Sequence, residues 1–366
     1  MKINLFFFIS NFNFGGAGNA ILNFLKNLDN KKYNLHIIFL GRSDYEKLLP
    51  KNVKYYKLTN DFYFFKTFFA FFKIRNILSK KNLSNTKNIF ISNIHYSNVL
   101  TVIFLRKIKN LKIVLFERTS LKELDIFTSF FTFLKNKIVK SFIKSTYSKA
   151  DKVLVNSKVL GSELKNFSVK SSVIYSGSIN KIVKRQKKTR KNFFNIIAVG
   201  RLTPQKDHLT LLKAIKKVKN KNFLLKIYGD GELKKNLIRY IENNNLKSHV
   251  KLLGHENKLS KIYTKADLLV HTAIFEGLPN VVVEAMSNGI PVIASNSYGG
   301  TKEILNSGRF GGLFKPGNVK QLCSMLDDFL MHPNKFYQKV SKSNSFLNRF
   351  TQKNSSKSLE KILMSI

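Results

Sequence analysis

The sequence predicts an α/β protein built as two doubly wound, parallel-sheet domains of Rossmann-like type. Three observations predict it. Apolar runs of strand length alternate with helical stretches from the N-terminus onward, a basic segment without a single acid interrupts them near mid-chain, and the alternation then restarts. At 366 residues the chain is long enough for about two ordinary domains, each with its own core.

The first domain is expected over residues 1–180. Its opening, MKINLFFFISNFNFGGAGNA, has the basic end and apolar run of a secretory leader. Asn4 interrupts that run, a single lysine precedes it, and Gly15, Gly16 and Gly18 follow directly, which reads as a strand entering a glycine turn. NLHIIFL, NIFISN, KIVLFE and DKVLVNS supply further strands, with a helix over Ala20 to Leu28 among them. Continuous apolar runs, rather than alternating ones, are what strands covered on both faces require. No run of 18 uncharged apolar residues exists, so no bilayer-spanning helix is expected.

Residues 181–192 are expected to form a linker. Its core, KIVKRQKKTRK, carries seven basic residues and no acid. The second domain, 193–335, contributes strands from FNIIAVG, FLLKIYG, VKLLG, ADLLVHT, IPVIAS and GGLF. Residues 336–366 are expected to be C-terminal helices packing back toward the N-terminal domain.

Hydrophobic residues make up 43% of the chain, which places it among folded globular proteins. The 64 Lys and Arg against 21 Asp and Glu give a net charge of +43, which attracts nucleic acid and anionic lipid alike. The lysines are spread along the whole chain beside abundant Asn, Ile and Phe, not gathered into one stripe. No nucleic-acid partner is therefore expected, although a basic nucleic-acid-binding protein stands as the alternative from another class. Cys323, the single cysteine, sits at helical spacing with Leu322, Leu326 and Leu330 and reads as a core residue.

The motifs concentrate in the second half. VGRLTPQKDHLTLLKAI places Arg201 and Lys206 between a strand end and a helix starting near Asp207, where a diphosphate could be clamped. YGDGELKKNL sets Gly229 and Gly231 at another strand end, and LLGH offers Gly254 and His255 in a tight turn. FEGLPNVVVEAMSNG carries Glu276 and Glu284 with seven residues between them. Alone, this last stretch reads equally as a helix start, with Pro279 opening the helix and Val281 to Val283 buried.

Taken in order, these pieces closely resemble the retaining glycosyltransferases of family four, which have the GT-B fold: two Rossmann-like domains facing a cleft. The resemblance covers nearly all of residues 195–332 and continues more faintly through FGGAGNAILNFLKNL, ISNIHYSN and YSKADKVLVNSKVL. It implies that Arg201 and Lys206 bind the donor diphosphate and stabilise its growing charge, with no metal expected. The chain correspondingly has no Asp-x-Asp triplet.

The resemblance further implies that Glu284 accepts hydrogen bonds from ribose hydroxyls and that Glu276 lies beside the transferred sugar. The sugar's hydroxyls would meet backbone N–H groups of Gly277, Leu278 and Asn280, and Gly16, Gly229, Gly254 and His255 would complete the donor site. His95 would face the cleft as a catalytic residue beside Glu276, Arg201 and Lys206. Gly15 and Arg118 are candidates for acceptor binding. Departures from the family pattern are His271, Ala273 and Tyr175-Ser176-Gly177.

The expected function is metal-independent transfer of a hexose or N-acetylhexosamine from a nucleotide sugar, UDP by preference, to a lipid-linked, lipopolysaccharide or capsule glycan with an α-linkage. A 2-epimerase of the same fold is the nearest alternative. Between Phe62 and Phe116 there are ten basic residues and no acid, and FYFFKTFFAFFKIRNILSKK and IFTSFFTFLKNKIVKSFIKS mix phenylalanine with lysine. Such helices suit an anionic membrane surface. The expected location is cytoplasmic, peripheral on the inner face of the membrane.

Overall fold

The computed structural model describes residues 2–13, 15–58, 64–80, 86–125, 130–183, 192–256 and 259–366. Linker residues 184–191 and, in the two segments quoted above as mixing phenylalanine with lysine, residues 62, 63, 81 and 126–129 with the side chains of 64–66 and 80 lie outside them. The chain divides into two compact units, Met1–Ser178 with Phe350–Ile366 and Ile179–Arg349.

In the first unit the strands are β1 (Ile3–Ile9), β2 (Tyr33–Phe39), β3 (Lys54–Lys57), β4 (Asn88–Asn93), β5 (Leu111–Glu117), β6 (Lys152–Val155) and β7 (Ser172–Val173). Helices α1 (Gly16–Asn27), α2 (Phe64–Lys80), α3 (His95–Leu105), α4 (Phe130–Tyr147) and α5 (Lys158–Lys165) connect them. Among the described residues the sheet order is β3-β2-β1-β4-β5-β6-β7, with every pairing parallel.

The second unit repeats the plan with β8 (Phe194–Val199), β9 (Phe223–Tyr228), β10 (Val250–Leu252), β11 (Leu268–His271), β12 (Val292–Ser295) and β13 (Gly312–Phe314), ordered β10-β9-β8-β11-β12-β13 and again parallel. Its helices are α6 (His208–Lys217), α7 (Lys234–Asn243), α8 (Leu259–Lys265), α9 (Asn280–Ser287), α10 (Thr301–Ile304), α11 (Val319–Met331), α12 (Pro333–Ser341) and α13 (Asn344–Leu347). In both sheets the strand order reverses beside the first strand, so a crevice opens past the carboxyl ends of β1 and β4, and of β8 and β11.

The cores follow from the apolar runs. Leu5 to Ile9 are all buried, because β1 is central and covered on both faces. Helix α2 buries Ala70, Phe71, Ile74 and Leu78, one face of a 3.6-residue period, onto the sheet. The second core gathers Leu211, Leu212, Ile215, Leu322, Leu326 and Phe329 around β8, β9 and β11. Cys323 is half-buried at the edge of that core rather than inside it.

The C-terminal boundary differs from the sequence expectation. Residues 336–349 stay with the second unit, where Phe336 joins its core, and the return to the first unit begins at Phe350. The last helix, α14 (Gln352–Met364), then packs on α1, burying Leu359 and Leu363 among Leu5, Phe7 and Phe24. Among the described residues, no helix is long and apolar enough to cross a membrane.

Candidate functional site

Each unit presents its predicted site residues at the carboxyl ends of its strands. In the second unit, β8 ends in Gly200 and Arg201, and β11 runs into the loop bearing Glu276. Backbone and side-chain bonds stitch the two loops together: Ile274 N–H donates to Gln205 O at 2.9 Å, Gln205 Nε2 to Phe275 O at 3.0 Å, and Thr272 Oγ1 to Lys206 O at 2.8 Å. This brings the Lys206 ammonium onto Glu276 Oε1 as a close ion pair.

His271 Nε2 lies 3.4 Å from the same oxygen, so a residue that looks like a departure from the family pattern belongs to the Glu276 cluster. Burial pushes the Glu276 carboxyl up, but Lys206 and His271 more than reverse this and hold it at about 2. Burial pushes the His271 ring down, against the pull of Glu276. His208, the first residue of α6, reaches the Arg201 carbonyl through Nε2 at 3.3 Å and is driven to about 4 by burial. The Arg201 side chain itself is exposed.

Two glycines shape these loops. Gly229 has φ +144°, its N–H donates to Gly254 O at 2.7 Å, and a Cβ there would overlap the Gly200 carbonyl. Gly299 has φ +127°, and a Cβ would overlap the carbonyl of Glu276 itself. Glu276 N–H donates to Tyr298 O at 2.8 Å and Gly300 N–H to Gly277 O at 2.9 Å, so residues 298–300 form the floor beneath the glutamate turn. Leu278 is buried against Gly300, while His255 is exposed in the loop after β10.

Helix α9 starts at Asn280, with Pro279 in the N-cap position but no side-chain capping bond, and Asn280 Oδ1 is buried without a hydrogen-bond partner among the described residues. Glu284, one turn further, has partners separate from those of Glu276. The Tyr263 hydroxyl donates to its Oε2 at 2.8 Å. Burial pushes the Glu284 carboxyl up to about 7, against the smaller opposing effect of that hydrogen bond.

The first unit holds a different set. Gly15 N–H faces the Tyr45 hydroxyl at 3.4 Å and Gly16 begins α1. A Cβ at Gly15 would come within 3.9 Å of Asn13 O, an ordinary van der Waals contact. His95 is the first residue of α3, behind Ile94 at φ +74°, and its Nδ1 lies 3.5 Å from Glu117 Oε1.

Arg118 is buried. Its Nε donates to Asn93 Oδ1 at 2.7 Å, its guanidinium lies 3.7 Å from the Phe116 ring centroid, and both terminal nitrogens lack a hydrogen-bond partner among the described residues. Burial lowers its pKa to about 9.

Sequence reasoning missed Tyr263, His208, Gly299, Glu117 and Tyr147. Only Glu117 carried a readable signal, an acid at the end of an apolar strand in a basic region. Tyr263 gave none, since its partner lies across the fold on another helix.

A profile described as Glycosyltransferase Family 4 matches residues 14–178, and one described as Glycosyl transferases group 1 matches residues 180–345. The chain belongs to the family four, group 1 glycosyltransferases. An uncharacterized glycosyltransferase of Methanocaldococcus jannaschii is 33% identical over 227 residues, 57% of this chain and 55% of that protein. The N-acetylgalactosamine-N,N'-diacetylbacillosaminyl-diphospho-undecaprenol 4-alpha-N-acetylgalactosaminyltransferase of Campylobacter jejuni is 31% identical over 206 residues, 53% of this chain and 56% of that protein. The chain thus spans about half the length of the curated relatives it matches. The crystal structure of Anabaena HepE with UDP-glucose superposes with a TM-score of 0.80 at 19% identity, covering 99% of this chain and all of HepE. The fold is GT-B, with its two Rossmann-like domains.

Proposed function

We propose that the protein is a retaining glycosyltransferase that moves a hexose or N-acetylhexosamine from a UDP-sugar to a lipid-linked glycan, forming an α-linkage. The observation that carries this reading is the Lys206–Glu276 pair set beside exposed Arg201 at the carboxyl end of a parallel sheet. Arg201 and Lys206 meet the diphosphate and stabilise the charge it gains as the glycosidic bond breaks. Glu276, held anionic, accepts from a sugar hydroxyl. Glu284 accepts from the ribose through Oε1, its other oxygen being held by Tyr263.

Gly277, Leu278 and Asn280 offer backbone N–H groups to the sugar, and Gly16, Gly229, Gly254 and His255 border the nucleotide. His95 approaches the sugar from the first unit, and Gly15 and Arg118 serve the acceptor. The UDP-glucose in the HepE structure and the undecaprenol-linked acceptor in the name of the Campylobacter relative support the choice of substrates.

Membrane association belongs to the same proposal. Helix α4 buries Val139, Ile143 and Tyr147 while exposing Phe131, Leu134, Ile138 and Phe142 on its other side, with Lys137 and Lys144 beside them. Phe69 and Phe72 of α2 are likewise exposed next to Lys73 and Arg75. An apolar stripe flanked by cations matches an anionic bilayer surface, and the acceptor would be met there, on the cytoplasmic face.

The test is binding and slow hydrolysis of a nucleotide-sugar panel by the purified protein, with and without chelator, against Arg201→Ala and Glu284→Ala. One preferred donor, lost in both variants, supports the reading. No binding of any nucleotide sugar, with the variants indistinguishable from wild type, would sink it.

A further inference from the structure

The first unit buries a carboxylate to which the transfer reading gives no role. Glu117 is fully buried, and both its oxygens are occupied. Oε1 accepts from the backbone N–H of Arg118 at 3.0 Å and of Thr119 at 3.4 Å. Oε2 accepts from the Tyr147 hydroxyl at 2.8 Å and from Asn98 Nδ2 at 3.5 Å. Every partner is a donor, the pattern a carboxylate takes and a carboxylic acid does not. His95 Nδ1 then approaches Oε1 to 3.5 Å, an ion-pair contact rather than a hydrogen bond, with the ring itself 93% buried.

We infer that Glu117 is a positioning residue for His95: its carboxylate faces the Nδ1 edge of the imidazole as an ion-pair partner, so that Nε2 meets the ligand as a hydrogen-bond donor. That last step rests on the transferase reading, whereas the pairing itself does not.

The need for a carboxylate follows from the position of the ring. His95 opens α3, so the positive end of the helix dipole works against an imidazolium, as burial does. The charged and titratable groups around it are Glu117 and Arg118 at the end of β5, Glu123 in the turn 121–125, and Lys135 and Tyr147 on α4. Burial pushes the ring down and Lys135 adds to this, but Glu117 and, to a smaller extent, Glu123 pull it up, leaving His95 above the ordinary histidine value. An imidazolium donor complements an oxygen that gains negative charge; a neutral ring would compete for the proton instead.

The decisive experiment is the NMR titration of the His95 ring in the full-length protein, in wild type, Glu117→Gln and Tyr147→Phe, beside the pH profile of donor turnover. Glutamine keeps the size and most hydrogen bonds but removes the charge. The expected result is a wild-type midpoint above that of a free histidine, a proton affinity about tenfold lower in Glu117→Gln, and an unmoved midpoint in Tyr147→Phe. Turnover should lose its alkaline limb at correspondingly lower pH in Glu117→Gln alone, while Tyr147→Phe costs stability and leaves the profile in place.

A wild-type midpoint at or below that of free histidine overturns the inference, and it does so even if Glu117→Gln does not fold. So does a Glu117→Gln protein that melts earlier but titrates like wild type. A raised midpoint in a protein that transfers from no donor would keep the pair and remove the transferase reading instead.

Discussion

The two units share one strand order, yet they treat charge at their strand ends in opposite ways. In the second unit Lys206 and Glu276 neutralise each other across two loops and Arg201 stands exposed, so cations remain available to an arriving anion. In the first unit Glu117 and Arg118 are both sunk into the protein, and donors or aromatic rings surround them. The difference teaches that topology fixes where a site lies, while loop chemistry decides whether its charges receive a ligand or orient a neighbour.

The sharpest way to break the comparison is Lys206→Ala. It leaves Glu276 buried without its main counter-charge and, on the proposed function, removes a phosphate contact, so kcat/KM should fall on the order of a hundredfold to a thousandfold. Steady-state kinetics with the preferred donor measures this. Arg118→Met is the counterpart in the first unit. Because Arg118 is a buried cation with unpartnered nitrogens, stability by urea titration should change by less than about 1 kcal/mol or rise. Turnover should fall about tenfold, and a loss of several kcal/mol would make Arg118 structural.

Gly299→Ala tests whether the floor under Glu276 is essential. With φ at +127° and the Glu276 carbonyl in the way, it should cost about 1–3 kcal/mol and weaken donor binding together with stability. The pH dependence of donor affinity separates the two glutamates. Glu284 lies at about 7 in the free protein, so its carboxylate is lost as pH falls through that value, and UDP affinity should drop by at most about tenfold per unit below it. Glu276, at about 2, contributes nothing to that slope. Calorimetry between pH 5.5 and 8.5, with Glu284→Gln as the flat control, reads it out. The smallest effect should come from Asn318→Ala, which removes the side-chain cap on Gln321 N–H at the start of α11. It should cost about 1 kcal/mol and leave turnover alone.

Legibility of the fold tracked burial. Strands β1, β2, β4, β5, β8, β11 and β12 announce themselves as apolar runs because they lie inside their sheets and are buried on both faces. The edge strands β3 and β7 do not: KYYK is largely exposed and Ser172–Val173 is two residues long, so neither needs an apolar run. The same logic governs the site. Residues proposed to touch the donor sit in short motifs and can be picked out of the sequence, as with Arg201, Lys206, Glu276 and Glu284. Those that hold such residues in place do so from distant elements, as Tyr263 does for Glu284, and no local pattern marks them.

The C-terminal helix also sets the order in which the protein can be made. Leu359 and Leu363 belong to the core of the first unit, and Asn27 Nδ2 on α1 donates to Gln352 Oε1 at 3.1 Å. The ribosome finishes residues 179–349 before it reaches any of these, so the second unit has its whole sequence while the first still lacks a piece of its interior. The half synthesised first is thus the half completed last.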